Sequence, residues 1–159
     1  MENKIILYTY DEAFLPIKTT SWAVCRDVFC TQDFTVEPGK IQRVGSGIKT
    51  YLPQGRGVKM YARSSLPSKM HLMLANAVAI IDSDYRGEYL MQFYNFTDEV
   101  ISIEKGTRVA QMEIFESYPF SSQGKIPTLE MIVDEELYNH FDEKFSTERW
   151  VGGIGSTGK

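Results

Sequence analysis

Apolar and polar positions alternate in short runs along most of this chain, a period of two that predicts strands. Residues 4–10 are apolar and rich in β-formers. Residues 33–36 alternate and run into Glu37-Pro38-Gly39, a turn. Residues 42–52 read as a strand interrupted by Gly45 and Gly47 and closed by Pro53-Gln54-Gly55. Residues 58–62 alternate. Residues 72–81 form a long apolar run that predicts strands buried on both sides. Residues 88–96 carry alternating aromatics. Residues 100–103 form a strand ahead of a Glu104-Lys105-Gly106 turn, and residues 108–115 alternate again. Strands at roughly ten-residue spacing with Gly and Pro turns predict a mainly β fold, a sandwich or barrel.

Residues 134–145 break the pattern. Leu137, Phe141 and Phe145 recur at i, i+4 and i+8 behind acidic residues. That spacing predicts a short amphipathic helix with its carboxylates at the positive end of the dipole. Its predicted job is to dock the C-terminal arm. Residues 1–148 are expected to form the folded domain and residues 149–159 a flexible tail that binds phosphate. Glycines there let backbone N–H groups approach anionic oxygens, and Ser and Thr add donors. Arg149 can offer a planar fork to a terminal phosphate.

Bulk composition narrows the function. A chain of 159 residues with 43% hydrophobic and 24% charged residues is expected to be one globular domain. A formal net charge of −4 argues against nucleic acid and anionic membranes as partners. No apolar run approaches the length of a membrane span, and residues 1–14 lack a signal-peptide core. The two cysteines, Cys25 and Cys30, have no metal-ligand spacing and predict reduced thiols in the cytoplasm. With only His71 and His140, a His triad or multi-His metal site has little material.

Three short stretches carry candidate chemistry. Asp82, Asp84 and Glu88 follow the long apolar run. Ile80-Ile81 directly before Asp82 predicts a partly buried carboxylate, suited to a base that holds one water. Tyr85-Arg86-Gly87 adds a tight turn with an aromatic face and a cation. Arg63-Ser64-Ser65 offers a small phosphate clamp. Arg108 and Gln111 alternate within a strand and read as a charged, exposed strand face.

The order and spacing of these pieces resemble the trimeric dUTPase family. Ala62-Arg63-Ser64-Ser65-Leu66 resembles its second motif and residues 76–88 its third. Residues 105–112 resemble the fourth motif and residues 152–158 the fifth. The resemblance implies a jelly-roll-like β fold, a homotrimer with shared active sites, and hydrolysis of dUTP to dUMP and pyrophosphate. It implies that Asp82 orients the attacking water, that Asn76 and the backbone near Ile81 read uracil, and that Tyr85 stacks under deoxyribose. Arg63, Ser64 and Ser65 would hold the phosphates with help from Gln111. Arg149 would reach the γ-phosphate, with Gly155, Ser156 and Thr157 closing over the ligand. Mg²⁺ would arrive on the triphosphate instead of sitting in a protein cage.

Two positions depart from the family pattern. Val24-Cys25-Arg26-Asp27-Val28 keeps only the aspartate of the first motif, so Asp27 is expected to act behind the site. Ile154 stands where an aromatic usually covers uracil; Phe93 and Tyr94 are candidate replacements, though both read first as ordinary core aromatics. Two rivals stay open: a dCTP deaminase, which would need a glutamate where this chain has Gln92, and a catalytically weakened trimer that binds proteins.

Overall fold

The computed structural model describes residues 4–117 and 128–147. Arg149, Ile154, Gly155, Ser156 and Thr157 lie outside those residues, and so does the predicted tail. Strands run β1 Lys4–Thr9, β2 Arg26–Phe29, β3 Phe34–Val36, β4 Ile41–Gly45, β5 Lys49–Tyr51 and β6 Arg56–Ala62. They continue as β7 Leu72–Leu74, β8 Val78–Ile81, β9 Leu90–Asn95, β10 Ile101–Ile103, β11 Arg108–Glu116 and β12 Thr128–Val133. Helices are short: α1 Ser65–Lys69, α2 Glu135–Asn139 and α3 Phe141–Lys144.

The strands form small sheets ordered β2-β11-β6-β8, β4-β9-β7, β12-β1-β5 and β10-β3. Pairing is antiparallel except between β1 and β12, which run parallel. This is the mainly β architecture the alternation predicts, in the jelly-roll-like form the family resemblance implies. Inward positions of the facing sheets make one core: Val58 and Met60 on β6, Met112 on β11, and Met91 and Phe93 on β9. Strand β9 keeps strict alternation, with Met91, Phe93 and Asn95 buried. Buried Asn95 satisfies its amide fully, donating to Val36 O and Glu99 O and accepting from Thr97 N.

Two elements differ from the sequence expectation. The run 72–81 is not one buried stretch. It divides into β7 and β8 in different sheets, turned by Ala75-Asn76-Ala77 with Ala77 at φ 58°. Val78 and Ile80 then face outward, 38% and 53% exposed, because β8 is the edge of its sheet. The helix predicted over 134–145 breaks at His140 into α2 and α3. Asp134 caps α2 by accepting from Leu137 N at 2.8 Å. The apolar face behaves as the spacing predicts: Phe141 and Phe145 pack on Ile6 and Tyr8 of β1, with Leu137 beside them. Strands β2 and β12 and helix α1 carry no periodic signal long enough to read beforehand.

Candidate active site

Strand β11 contains a device that no period-two reading reveals. Its pairing with β2 slips between Arg108 and Ala110, a bulge. In a regular strand Arg108 and Gln111, three apart, would face opposite sides. The bulge turns Val109 and Ala110 both inward and leaves Arg108 and Gln111 on the same outer face. Gln111 sits directly opposite Asp27 on β2 and Tyr61 on β6. An isolated bridge between Ile17 and Asp27 covers β2, so Asp27 is only 9% exposed.

Asp27 is held between two guanidinium groups. Arg63 Nε donates to its Oδ1 at 3.0 Å and Arg108 Nη1 to its Oδ2 at 3.1 Å. Arg63 Nη1 also donates to the Arg108 carbonyl at 2.8 Å and lies 3.5 Å from Ser65 Oγ. These bonds fix the plane of the Arg63 fork, and Nη2 has no hydrogen bond among the described residues. Ser64 is exposed at the start of α1, and its hydroxyl makes no capping bond. Gln111 folds its amide over the end of β6, with Nε2 donating to Ala62 O at 2.9 Å. So Asp27, Arg63, Ser65, Arg108 and Gln111 converge. Arg108 was expected to be a plain exposed charge; only its spacing from Gln111, impossible on one face without a bulge, could have signalled otherwise. Among the described residues no three His, Cys, Asp or Glu gather as metal ligands.

The other expected residues lie elsewhere. Asn76 is exposed in the turn before β8, at the same sheet end as Arg63, because Tyr61 pairs with Val78. The left-handed Ala77 beside it is strained, at a cost of about 1–3 kcal/mol. Asp82 follows the far end of β8. Antiparallel pairing of β6 with β8 sets it near the start of β6, whereas Arg63 follows the end. The length of β8, roughly 10 Å, separates the two groups. Ile80-Ile81 does not bury Asp82, contrary to the sequence expectation: Ile81 points into the core, Ile80 outward, and Asp82 is exposed. Phe93 does not reach a ligand surface either. It is fully buried and stacks on Phe34 at 5.3 Å. Tyr94 lies half-buried on the opposite face of β9.

Each residue of Tyr85-Arg86-Gly87-Glu88 has a structural reason. Tyr85 folds back over the turn and donates its hydroxyl to Glu88 O at 3.0 Å. A Cβ at Gly87 would overlap that hydroxyl, so any larger residue there must displace the Tyr85 ring. Glu88 turns inward and accepts from Gly47 N at 2.7 Å, and a Cβ at Gly45 would overlap its carboxylate. Arg86 is buried rather than offered to a ligand: Nη1 donates to Ser83 O at 2.7 Å and Nε to Phe145 O at 2.7 Å. Burial lowers the pKa of this guanidinium from its ordinary value, and the nearby Tyr51 and Asp84 oppose that shift.

These features describe a jelly-roll-like β protein with phosphate-type donors at one sheet end and an acidic, tyrosine-bearing loop at the other. A model of the dUTPase family matches residues 11–158. The deoxyuridine 5′-triphosphate nucleotidohydrolase of Lactococcus lactis subsp. lactis is 35% identical over 150 residues, covering 91% of this chain and 87% of its own length. That of Hydrogenobaculum sp. is 36% identical over 151 residues, covering 93% and 92%. The chain belongs to the dUTPase family and is a dUTP-hydrolysing enzyme. Among solved structures, the dUTPase from Streptococcus mutans superposes with a TM-score of 0.67 at 31% identity, covering 72% of this chain and 94% of that one. A mutant dUTPase from phage phi11 of S. aureus, whose structure shows coordination of a structural Mg(II) ion, shares the fold at a TM-score of 0.64. It is 19% identical and covers 73% of this chain and 92% of its own.

Proposed function

We infer that this enzyme cleaves dUTP between the α- and β-phosphates, in sites shared among three copies of the chain. The observation that carries the shared site is the separation along β8. Donors gather around Arg63 at one end and the Asp82–Tyr85 loop lies at the other, which supports a site completed by other copies rather than by the described residues of one chain. Exposed Val78 and Ile80 on edge strand β8, and Trp22 at 92% exposure ahead of Asp27, offer apolar surface to neighbouring copies.

In the mechanism, Asp82 accepts a proton from water as that water attacks the α-phosphorus in line, and pyrophosphate leaves. Its exposure in one chain is relieved when a neighbour covers it. The Nη2 of Arg63, with Ser64 and Ser65, donates to phosphate oxygens while Asp27 and the Arg108 carbonyl hold the fork still. Tyr85 stacks its ring under the sugar, its hydroxyl already engaged by Glu88 O. Asn76 and the backbone near Ile81 read the base. Gln111, one of whose Nε2 hydrogens goes to Ala62 O, retains its second N–H for the phosphate side. Arg149 and the 152–158 segment complete the γ-phosphate end. Mg²⁺ enters as part of the Mg–dUTP substrate. Both Asp27 oxygens are committed to arginines, so this carboxylate is not the ligand of a resident ion. Free Cys25 and Cys30 suit a cytoplasmic setting, where the dUMP made would feed thymidylate synthesis.

Pyrophosphate and ammonia release should be measured with dUTP, dCTP, dTTP and UTP. Pyrophosphate from dUTP alone is expected. Ammonia from dCTP would replace this reading with a deaminase, and no turnover of any of the four would leave a binding trimer.

A further inference from the structure

The substrate loop and the α2–α3 pair meet through one buried side chain. Arg86 is 4% exposed and gathers three carbonyls that belong to two segments: Ser83 O and Tyr85 O from the loop, Phe145 O from the end of α3. Its guanidinium also lies 5.4 Å from the Tyr51 ring centroid. Thr147 Oγ1 adds a second tie, donating to Asp84 O at 2.6 Å. Helix α3 is itself fixed by Phe141, fully buried, with its ring 4.7 Å from that of Tyr8 on β1. Residues 82–88 lie between β8 and β9 and have no strand ladder of their own. The Tyr85 hydroxyl is held within the loop by Glu88 O, and this chain of contacts from β1 through α3 to Arg86 ties the loop itself to the rest of the fold.

We propose that Arg86 is a positioning residue, and that the α2–α3 pair is the buttress through which it holds the Asp82–Tyr85 loop in the geometry that selects deoxyribose. The proposal rests on the dUTP reading above for its substrate, but not for its mechanics. A planar guanidinium can serve three carbonyls in fixed directions, and a lysine ammonium at the same place cannot. Loss of the fork lets the loop drift, and a drift near 1 Å is enough to blur a steric filter for one hydroxyl.

The test uses Arg86→Lys and, 55 positions further along the chain on α3, Phe141→Leu, whose ring packs on Tyr8 and Phe145. Amide hydrogen exchange without nucleotide is read first. Both variants are expected to raise exchange across residues 83–88 by roughly tenfold while β6 and β11 stay protected. The ratio of kcat/KM for dUTP over UTP is read second and is expected to fall roughly tenfold or more. A merely structural Arg86 would lower Tm and leave that ratio unchanged, which overturns the positioning role. Unchanged loop exchange in Phe141→Leu overturns the buttress, even if Arg86→Lys fails to fold. A wild type indifferent to the 2′-hydroxyl sinks the dUTP reading and the selection claim with it, and the exchange arm separates that failure from a failure of the mechanics.

Discussion

The Asp27 cluster and the Asp82 loop are held by different physics. Asp27 sits on a strand, within a sheet ladder and under a bridge to Ile17, with a guanidinium on each oxygen. Asp82 stands exposed on a loop fastened from behind by Arg86. The first arrangement suits a site where charge is present before the ligand arrives and must not move. The second suits a residue that meets water and substrate only once another surface covers it. Both Asp27 oxygens are already engaged by arginines, which in the proposed mechanism leaves the role of base to the loop. The largest expected effect tests that division. Asp82→Asn should lower kcat by about 10²–10⁴-fold with nucleotide Kd largely kept, measured by pyrophosphate release and titration calorimetry. Equal losses in Asp27→Asn and Asp82→Asn would erase the distinction between the two carboxylates.

Stability should show the opposite ranking. Asp27→Ala strands two cations, of which Arg63 is the more enclosed at 21% side-chain exposure. Loss of two charge-assisted bonds should cost about 2–4 kcal/mol in urea unfolding, with the partial exposure of Arg108 keeping it from more. Asp82→Ala, at an exposed loop position, should cost less than Asp27→Ala. A destabilised Asp82→Ala would mean that the loop carries weight in the fold as well.

A third variant probes the loop's packing. Gly87→Ala sets a methyl against the Tyr85 hydroxyl, so the ring must move or the turn must open. The expected cost is about 1–3 kcal/mol in unfolding free energy. If Tyr85 selects the sugar as proposed, UTP turnover should rise relative to dUTP once the ring is displaced. The corresponding overpacking at Gly45, against the Glu88 carboxylate, should destabilise without altering that ratio.

How much of this was legible follows from the kind of signal each part leaves. The β class came through because alternation is local: β6, β9 and β11 each carry it over enough residues to read. Three-residue strands such as β3 and β7 can be seen only with flanking turns. Strand β12 is fixed by its parallel partner β1, far away in sequence. The helix face was legible from Leu137, Phe141 and Phe145, but Tyr138 and the break at His140 were not. In the site, residue types and order were visible while their geometry was not. Arg108 joins Asp27 through a bulge, which has no composition mark. Arg86, written beside the reactive loop, looks like a ligand donor until Phe145 O appears behind it. Asp82 was expected to be sheltered by its apolar neighbours, yet an edge strand turns those neighbours alternately in and out.

The smallest expected effect again divides the two regions, this time by alkali. Tyr61 belongs to the sheet end, opposite Gln111, and its hydroxyl donates to Glu113. That bond pushes its pKa up from 10.0 to about 12. Tyr138 belongs to the buttress, and there burial leads the upward shift, with the Glu88 carboxylate adding to it. The sign is the same for both. The folded state keeps a proton that the unfolded chain releases from about pH 10, so the stabilisation is whole below that pH and fades above it. For Tyr61 it is gone once pH passes about 12. The variants should nonetheless part company near neutrality. Tyr61→Phe loses a formed hydrogen bond. Tyr138→Phe removes a buried hydroxyl that has no hydrogen bond of regular geometry, and should be neutral or stabilising by about 1 kcal/mol. Urea midpoints measured at neutral pH and at about pH 11 check both statements. Each variant should flatten the alkaline decline, and only Tyr138→Phe should start from a midpoint at or above wild type. A Tyr138→Phe protein that is clearly weaker at neutral pH would mean that its hydroxyl is bonded to Glu88 after all, and that the loop is fastened to α2 as well as to α3.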